Sequence, residues 1–234
     1  MRRARGRRPL SRDRAPALTQ AQRRALILER LAQTYAGAST ALDFTDPYEL
    51  LVSVILSAQC TDARVNMVTP ALFKKFPTVQ AMACASPSDV VPLIKSCGLF
   101  ATKAKNIVAA SRQIVERHGG NVPGTIEELI ALPGVGRKTA NVVLAVAFDQ
   151  AAIAVDTHVF RVANRLGLVR ARTPRETETQ LMRVVPRGQW SAAHHWLIHH
   201  GREICHARKP ECPRCPLVDL CPSAKKFLKA MRGR

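Results

Sequence analysis

A lysine, an aspartate and four closely spaced cysteines are the residues of this chain whose chemistry asks for an explanation. Lys138 stands in Leu132-Pro-Gly-Val-Gly-Arg-Lys-Thr-Ala-Asn141, and Asp156 follows it by 18 residues in Val155-Asp-Thr-His158. The first stretch joins two helix-like segments, 125–131 and 137–148. Pro133 ends the first, and Gly134 and Gly136 permit a tight reversal through backbone conformations closed to other residues. The turn delivers unpaired N–H groups to the start of a new helix, where anions, phosphate above all, are favoured. Gly134 and Gly136 would hold a DNA phosphate through backbone amides without reading sequence. A plain helical hairpin is the alternative.

Lys138, one residue into that helix, opposes the helix dipole, which prefers negative charge there. The same positive end disfavours an ammonium and moves the amine toward its nucleophilic state. A neutral amine can attack an electrophilic carbon such as sugar C1′ and form a Schiff base. Its bland alternative is a solvated lysine on a phosphate. Asp156 lies between the apolar run 151–155 and a helix expected over 158–166, so on position alone it is an N-cap. Near Lys138 it would also stabilise positive charge developing on the sugar and accept or relay a proton.

The cysteines read Cys205-x6-Cys212-x2-Cys215-x5-Cys221. Zinc usually takes two Cys-x2-4-Cys pairs across a longer loop, and only one such pair exists here. Four thiolates in one compact, uneven run suit an iron–sulfur cube better, with zinc the alternative. The loop between the first two is mostly basic, so the metal would hold Arg208 and Lys209 against DNA. Cys60, Cys84 and Cys97 are scattered in apolar contexts and read as free thiols of a reducing compartment.

The balance of the whole chain agrees. It has 36 Lys and Arg against 17 Asp and Glu, a formal charge of +19. Such an excess calls for a polyanion, most simply nucleic acid, with an anionic membrane as the weaker competitor. No apolar run approaches the ~18 residues of a spanning helix, and the N-terminal arginines are not followed by the apolar stretch of a signal peptide. A cytoplasmic protein, nucleoid-associated if bacterial, is expected.

The elements that must position these residues are helical. Residues 1–16 hold seven Arg and one Asp and are expected to be a disordered basic tail. Thr19 caps a helix over 20–35, and Asp46-Pro47, Thr61-Asp62, Thr78, Ser86-Pro87, Thr125 with Glu128, and Thr173-Pro174 open others. The runs 142–148 and 151–155 are apolar enough for strands, but one continues a capped helix and the other has no partner. An all-α fold follows. Gln59, at the end of a strongly apolar helix, and Leu99, at a glycine-marked turn, are candidates to plug the gap left by a flipped base; as plain residues they would be an ordinary turn glutamine and a partly buried leucine. Trp190 and Trp196 read as core anchors.

The segments Ser57-Ala-Gln-Cys-Thr-Asp62, Leu132–Asn141, Val155-Asp-Thr-His-Val-Phe-Arg161 and the cysteine spacing, in this order, resemble the helix-hairpin-helix DNA glycosylases, and within them the endonuclease III branch. The resemblance runs from about residue 20 to 222. It implies two helical domains: a six-helix domain over 40–150 containing the hairpin (about 125–148), and an iron–sulfur domain built from 17–39 and 151–234. It implies Lys138 as Schiff-base nucleophile with Asp156 as its partner, and a [4Fe-4S] cluster on Cys205, Cys212, Cys215 and Cys221. Gln59 and Leu99 match helix-penetrating residues, Arg137 falls beside the hairpin glycines at the DNA, and His158 matches a residue close to DNA.

The implied activity is excision of oxidised pyrimidines from duplex DNA, followed by β-elimination at the abasic site, by a monomer. Relatives specific for mismatched adenine generally carry serine at the position of Lys138, and thymine-mismatch relatives often carry tyrosine. A monofunctional mismatch glycosylase and a non-catalytic, metal-stapled DNA-binding protein are the rival readings.

Overall fold

The structure, a computed structural model, describes residues 18–232; the tail expected over 1–16 lies outside them. Its regular elements are α1 (Gln20–Thr34), α2 (Pro47–Ser57), α3 (Asp62–Lys75), α4 (Val79–Cys84), α5 (Pro87–Ile94), α6 (Phe100–His118), α7 (Ile126–Ile130), α8 (Arg137–Ala147), α9 (Thr157–Arg165), α10 (Pro174–Val184), α11 (Trp190–Glu203) and α12 (Ala224–Arg232), with two short 3-10 turns. No strand occurs among the described residues, so the chain is all-α as expected. None of these helices is long and apolar enough to cross a membrane.

Local chemistry sets most helix starts. Thr19 and Gln22 form a reciprocal capping box before α1, and Asp46 caps α2 ahead of Pro47, whose missing N–H costs nothing at a first helical position. Thr61, Thr78 and Thr173 each accept from a backbone N–H three residues on. The ends stop where glycine or extended backbone intervenes: α6 terminates at Gly119, which is left-handed at φ 58°.

The buried apolar side chains fall into two clusters. One is built from α2 to α8 and includes Leu50, Leu56, Val65, Leu72, Ile94, Ile107 and Val143. The other joins α1 to α9, α10, α11 and the cysteine region, through Ile27, Leu31, Val159, Val162, Leu181, Leu197 and Leu217. The second lobe is therefore made from both ends of the chain. Each fully buried aliphatic side chain here contributes about 1.5–3 kcal/mol through area removed from water.

The run 151–155 connects the lobes and explains its own ambiguity in sequence. It forms neither helix nor strand, and its side chains alternate: Ala152 and Ala154 enter the first cluster, Ile153 and Val155 the second. A chain whose side chains alternate with period two can serve two cores without a neighbouring strand. Asn141 of α8 takes the place of that neighbour, its Nδ2 donating to the Ile153 carbonyl at 3.0 Å.

Candidate active site and cluster seat

Lys138 is the second residue of α8, and its side chain is exposed. Gly134 has φ +78°, and a Cβ there would lie 2.8 Å from the Asn106 side chain. Both facts demand glycine. Gly136 differs from expectation: it is the N-cap of α8 at φ −92° and ψ 173°, ordinary extended backbone, and a Cβ on it would meet nothing within 4 Å. Only Gly134 is required by the protein's own geometry. No side chain caps α8, so its first N–H groups face outward.

Asp156 is the N-cap of α9; its Oδ1 accepts from the Val159 N–H at 2.8 Å. Lys138 and Asp156 sit at the starts of helices in different lobes, yet both line one cavity, together with Asp62, His194, His195 and Arg202. Arg202 of α11 donates to the Asp62 carboxylate of α3 at 3.2 Å, bridging the lobes at the cavity wall. His194 is buried, and its Nδ1 donates to the Ala154 carbonyl at 2.7 Å, fixing the backbone two residues before Asp156. Burial, and then the neighbouring His195, push the His194 imidazole down to about 4, so it is a neutral donor.

These histidines, Asp62 and Arg202 are the parts of the site that sequence reasoning missed. Asp62 reads as a helix opener, and the histidines at 194, 195, 199 and 200 give only a spacing within an apolar helix. Their convergence depends on how α11 packs against the first lobe.

Gln59 and Leu99 are both exposed, and both have left-handed backbones, at φ 54° and 59°. For side-chain-bearing residues this costs about 1–2 kcal/mol each and persists only where the surroundings impose it. Leu99 is 58% exposed, which corrects the alternative of a partly buried leucine. Arg137, expected beside a phosphate, has its guanidinium on Glu178 of α10 at 2.7 and 2.8 Å; its charge is committed to the other lobe. His158 is half-buried, accepts from Arg161 Nη2 at 3.1 Å through Nδ1, and is held neutral by burial. Gly201 of α11 lets it approach, because a Cβ there would lie 2.9 Å from the His158 ring.

The helix that Asp156 caps also reaches the cysteines. Arg161 donates to the Cys205 carbonyl at 3.1 Å. One turn later, Arg165 donates to the carbonyls of His206 and Ala207 at 2.7 Å and stacks over Phe227 of α12. The loop carrying Arg208 and Lys209, both exposed, is thus clamped at its base.

Cys205, Cys212, Cys215 and Cys221 line a single cavity with Leu166, Val218 and Phe227. Donors already point at the sulfurs: the Leu217 N–H reaches Cys215 Sγ at 3.4 Å and Arg165 reaches Cys205 Sγ at 3.5 Å. Ligand thiolates need such partners. The donor set fits an iron–sulfur cluster.

Comparison with known proteins adds the following. Residues 52–187 match the family described as HhH-GPD superfamily base excision DNA repair protein, and residues 205–221 match the iron–sulfur binding domain of endonuclease III. Endonuclease III of Synechocystis is 51% identical over 87% of this chain and 94% of its own length. That of Bacillus subtilis is 48% identical over 85% of this chain and 91% of its own. A solved structure of a trapped endonuclease III–DNA covalent intermediate superposes with a TM-score of 0.86 at 43% identity, covering 90% of this chain and all of that one.

Proposed function

The chain belongs to the HhH-GPD superfamily of base excision DNA repair proteins, in its endonuclease III branch, and on that premise we propose that Lys138 is its nucleophile and Asp156 the carboxylate that serves it. The protein is a DNA glycosylase with abasic-site lyase activity, carries a [4Fe-4S] cluster and binds DNA. The observation supporting the assignment is that Lys138 and Asp156 line one cavity although each begins a helix in a different lobe.

In the reaction, a damaged nucleotide leaves the duplex stack and its sugar enters that cavity. The Lys138 amine attacks C1′, the N-glycosidic bond breaks, and the base departs with its electron pair and takes up a proton. Asp156 faces the positive charge that grows on the sugar and accepts the proton released by the amine. The C1′–O4′ bond then opens as O4′ takes up a proton, the nitrogen lone pair forms the C1′=N bond, and the resulting imine acidifies C2′. Loss of that proton expels the 3′ phosphate by β-elimination, and water then releases Lys138. Oxidised pyrimidines in duplex DNA, and abasic sites, are the substrates of this reading. One chain supplies every group, so a monomer suffices.

Cys205, Cys212, Cys215 and Cys221 would hold the cluster, which when bound ties the basic loop to the second lobe and is itself redox-capable. Gly134 and Gly136 would grip the DNA backbone with the open N-terminus of α8, Arg208 and Lys209 would contact it from the cluster loop, and His158 would stand beside it. Gln59 and Leu99 would fill the gap in the stack.

Borohydride reduction of the imine tests the core of this. Wild-type protein and damaged duplex should give a covalent adduct, and Lys138→Ala should give none. An undiminished adduct in that variant would sink the assignment.

A further inference from the structure

Lys103 is buried, at 4% exposure, and among the described residues it makes no ion pair. Its Nζ donates to the Leu56 carbonyl at 2.7 Å, one of the carbonyls left open where α2 ends at Ser57. Its backbone N–H bonds the Leu99 carbonyl at 3.0 Å and closes the first turn of α6. One residue therefore holds the end of α2 with its side chain and the start of α6 with its main chain.

Three residues past the first anchor stands Gln59, and at the second stands Leu99. These are two of the three non-glycine residues with positive φ among those described. The turns that carry them touch, since a Cβ on Gly98 would come 3.2 Å from the Gln59 carbonyl oxygen. Cys60 and Cys97 each stand next in chain to one of these turns, Cys97 buried and Cys60 half-buried. A buried ammonium bonded to a carbonyl rather than a carboxylate is a poor way to stabilise a core. It is a good way to fix two strained turns in one register.

We propose that Lys103 is a positioning residue for base extrusion, locking Gln59 and Leu99 to one another so that they enter the duplex as a single rigid wedge. The proposal rests on the reading of Gln59 and Leu99 as the residues that fill the vacated stack. Misplacing either by about 1 Å would cost extrusion while leaving the Lys138 chemistry untouched.

The test uses Lys103→Met, which keeps the stem and removes the donor, in the full-length, cluster-loaded protein. Two DNAs are compared: a duplex with one dihydrouracil and a neighbouring 2-aminopurine, and a single strand with an abasic site, which needs no extrusion. On the duplex, kcat and the rate of the 2-aminopurine fluorescence rise should both fall at least about tenfold, while cleavage of the single strand stays within about twofold. Lys103→Arg should recover part of the duplex rate. Equal losses on both DNAs, or full duplex activity, would overturn the proposal. Gln59→Ala and Leu99→Ala run alongside: if neither slows the fluorescence rise, the wedge reading itself is wrong. If they slow it and Lys103→Met does not, the failure is of Lys103 alone. Should Lys103→Met not fold, Gly98→Ala crowds the same junction from the Gln59 side. A folded Gly98→Ala with unchanged duplex kinetics would likewise overturn the proposal.

Discussion

Arg137 and Glu178 are joined across the two lobes, the guanidinium Nε and Nη2 donating to the two carboxylate oxygens at 2.8 and 2.7 Å. The Glu178 side chain is only 8% exposed and that of Arg137 is 44% exposed. Because Arg137 immediately precedes Lys138, this pair ties the turn bearing the lysine to the lobe that carries Asp156. Lys138 and Asp156 owe their shared cavity in part to it.

The pair should be asymmetric to mutation. Arg137→Met leaves a nearly buried carboxylate without its cation and should cost about 1–3 kcal/mol, the usual loss for a broken buried pair discounted for the exposed arginine. Glu178→Gln leaves an arginine that water can solvate, and should cost under about 1 kcal/mol. Urea midpoints of the cluster-loaded variants decide the matter. Equal losses would mean that the carboxylate is not effectively desolvated.

Asp156→Asn separates the cap from the proposed acid–base role of that residue. Asparagine caps helices about as well as aspartate, so α9, and with it Arg161 and Arg165 on the cysteine loop, should stay in place. The variant should fold and bind DNA normally while its single-turnover rate falls by at least ~10²-fold, the scale of a lost acid–base group. A rate within a few-fold of wild type would reduce Asp156 to a cap.

Much of this was legible in the sequence, for identifiable reasons. Threonine, serine and aspartate before apolar runs mark caps because the interaction is local, and Thr19, Asp46, Thr61 and Thr173 cap as expected. Gly134 is readable because its positive φ is a local demand. Gly136 is not, because its backbone is ordinary and its surroundings leave room for a Cβ. The pairing of Arg137 is hidden for a related reason: Glu178, which takes its guanidinium, stands 41 positions away. The histidines of α11 and the Asp62–Arg202 bridge are contacts between lobes, and no window of sequence contains both partners.

Acid should weaken the fold through His194. Burial sets its imidazole at about 4, against an ordinary value of 6.5. His195 and Lys138 oppose its protonation and Asp156 favours it. The unfolded chain therefore takes up a proton that the folded chain refuses. Stability is full above about pH 6.5 and is lost as pH falls toward 4, by up to about 1.4 kcal/mol per pH unit for this one residue. His195 and His158, also lowered by burial, add with the same sign. His194→Gln keeps a donor for the Ala154 carbonyl and cannot titrate, so its urea midpoint should fall less steeply between pH 7 and 5. Identical slopes would remove His194 from the account.

The two hairpin glycines should respond in opposite ways to the same change. Gly134→Ala forces a side chain into φ +78° and places its Cβ 2.8 Å from Asn106, so it should lose about 1–3 kcal/mol of stability. Gly136→Ala has an ordinary backbone and open space, and its stability should stay within about 0.5 kcal/mol of wild type. On the proposed reading, the new methyl would nevertheless stand where a phosphate approaches the uncapped N–H groups of α8. Loss of one such charged hydrogen bond, about 1.5 kcal/mol, corresponds to roughly tenfold weaker binding of DNA. Thermal melts and DNA titrations at fixed salt on both variants separate the effects. If Gly136→Ala binds undamaged and abasic duplexes as tightly as wild type, the open start of α8 does not hold the backbone.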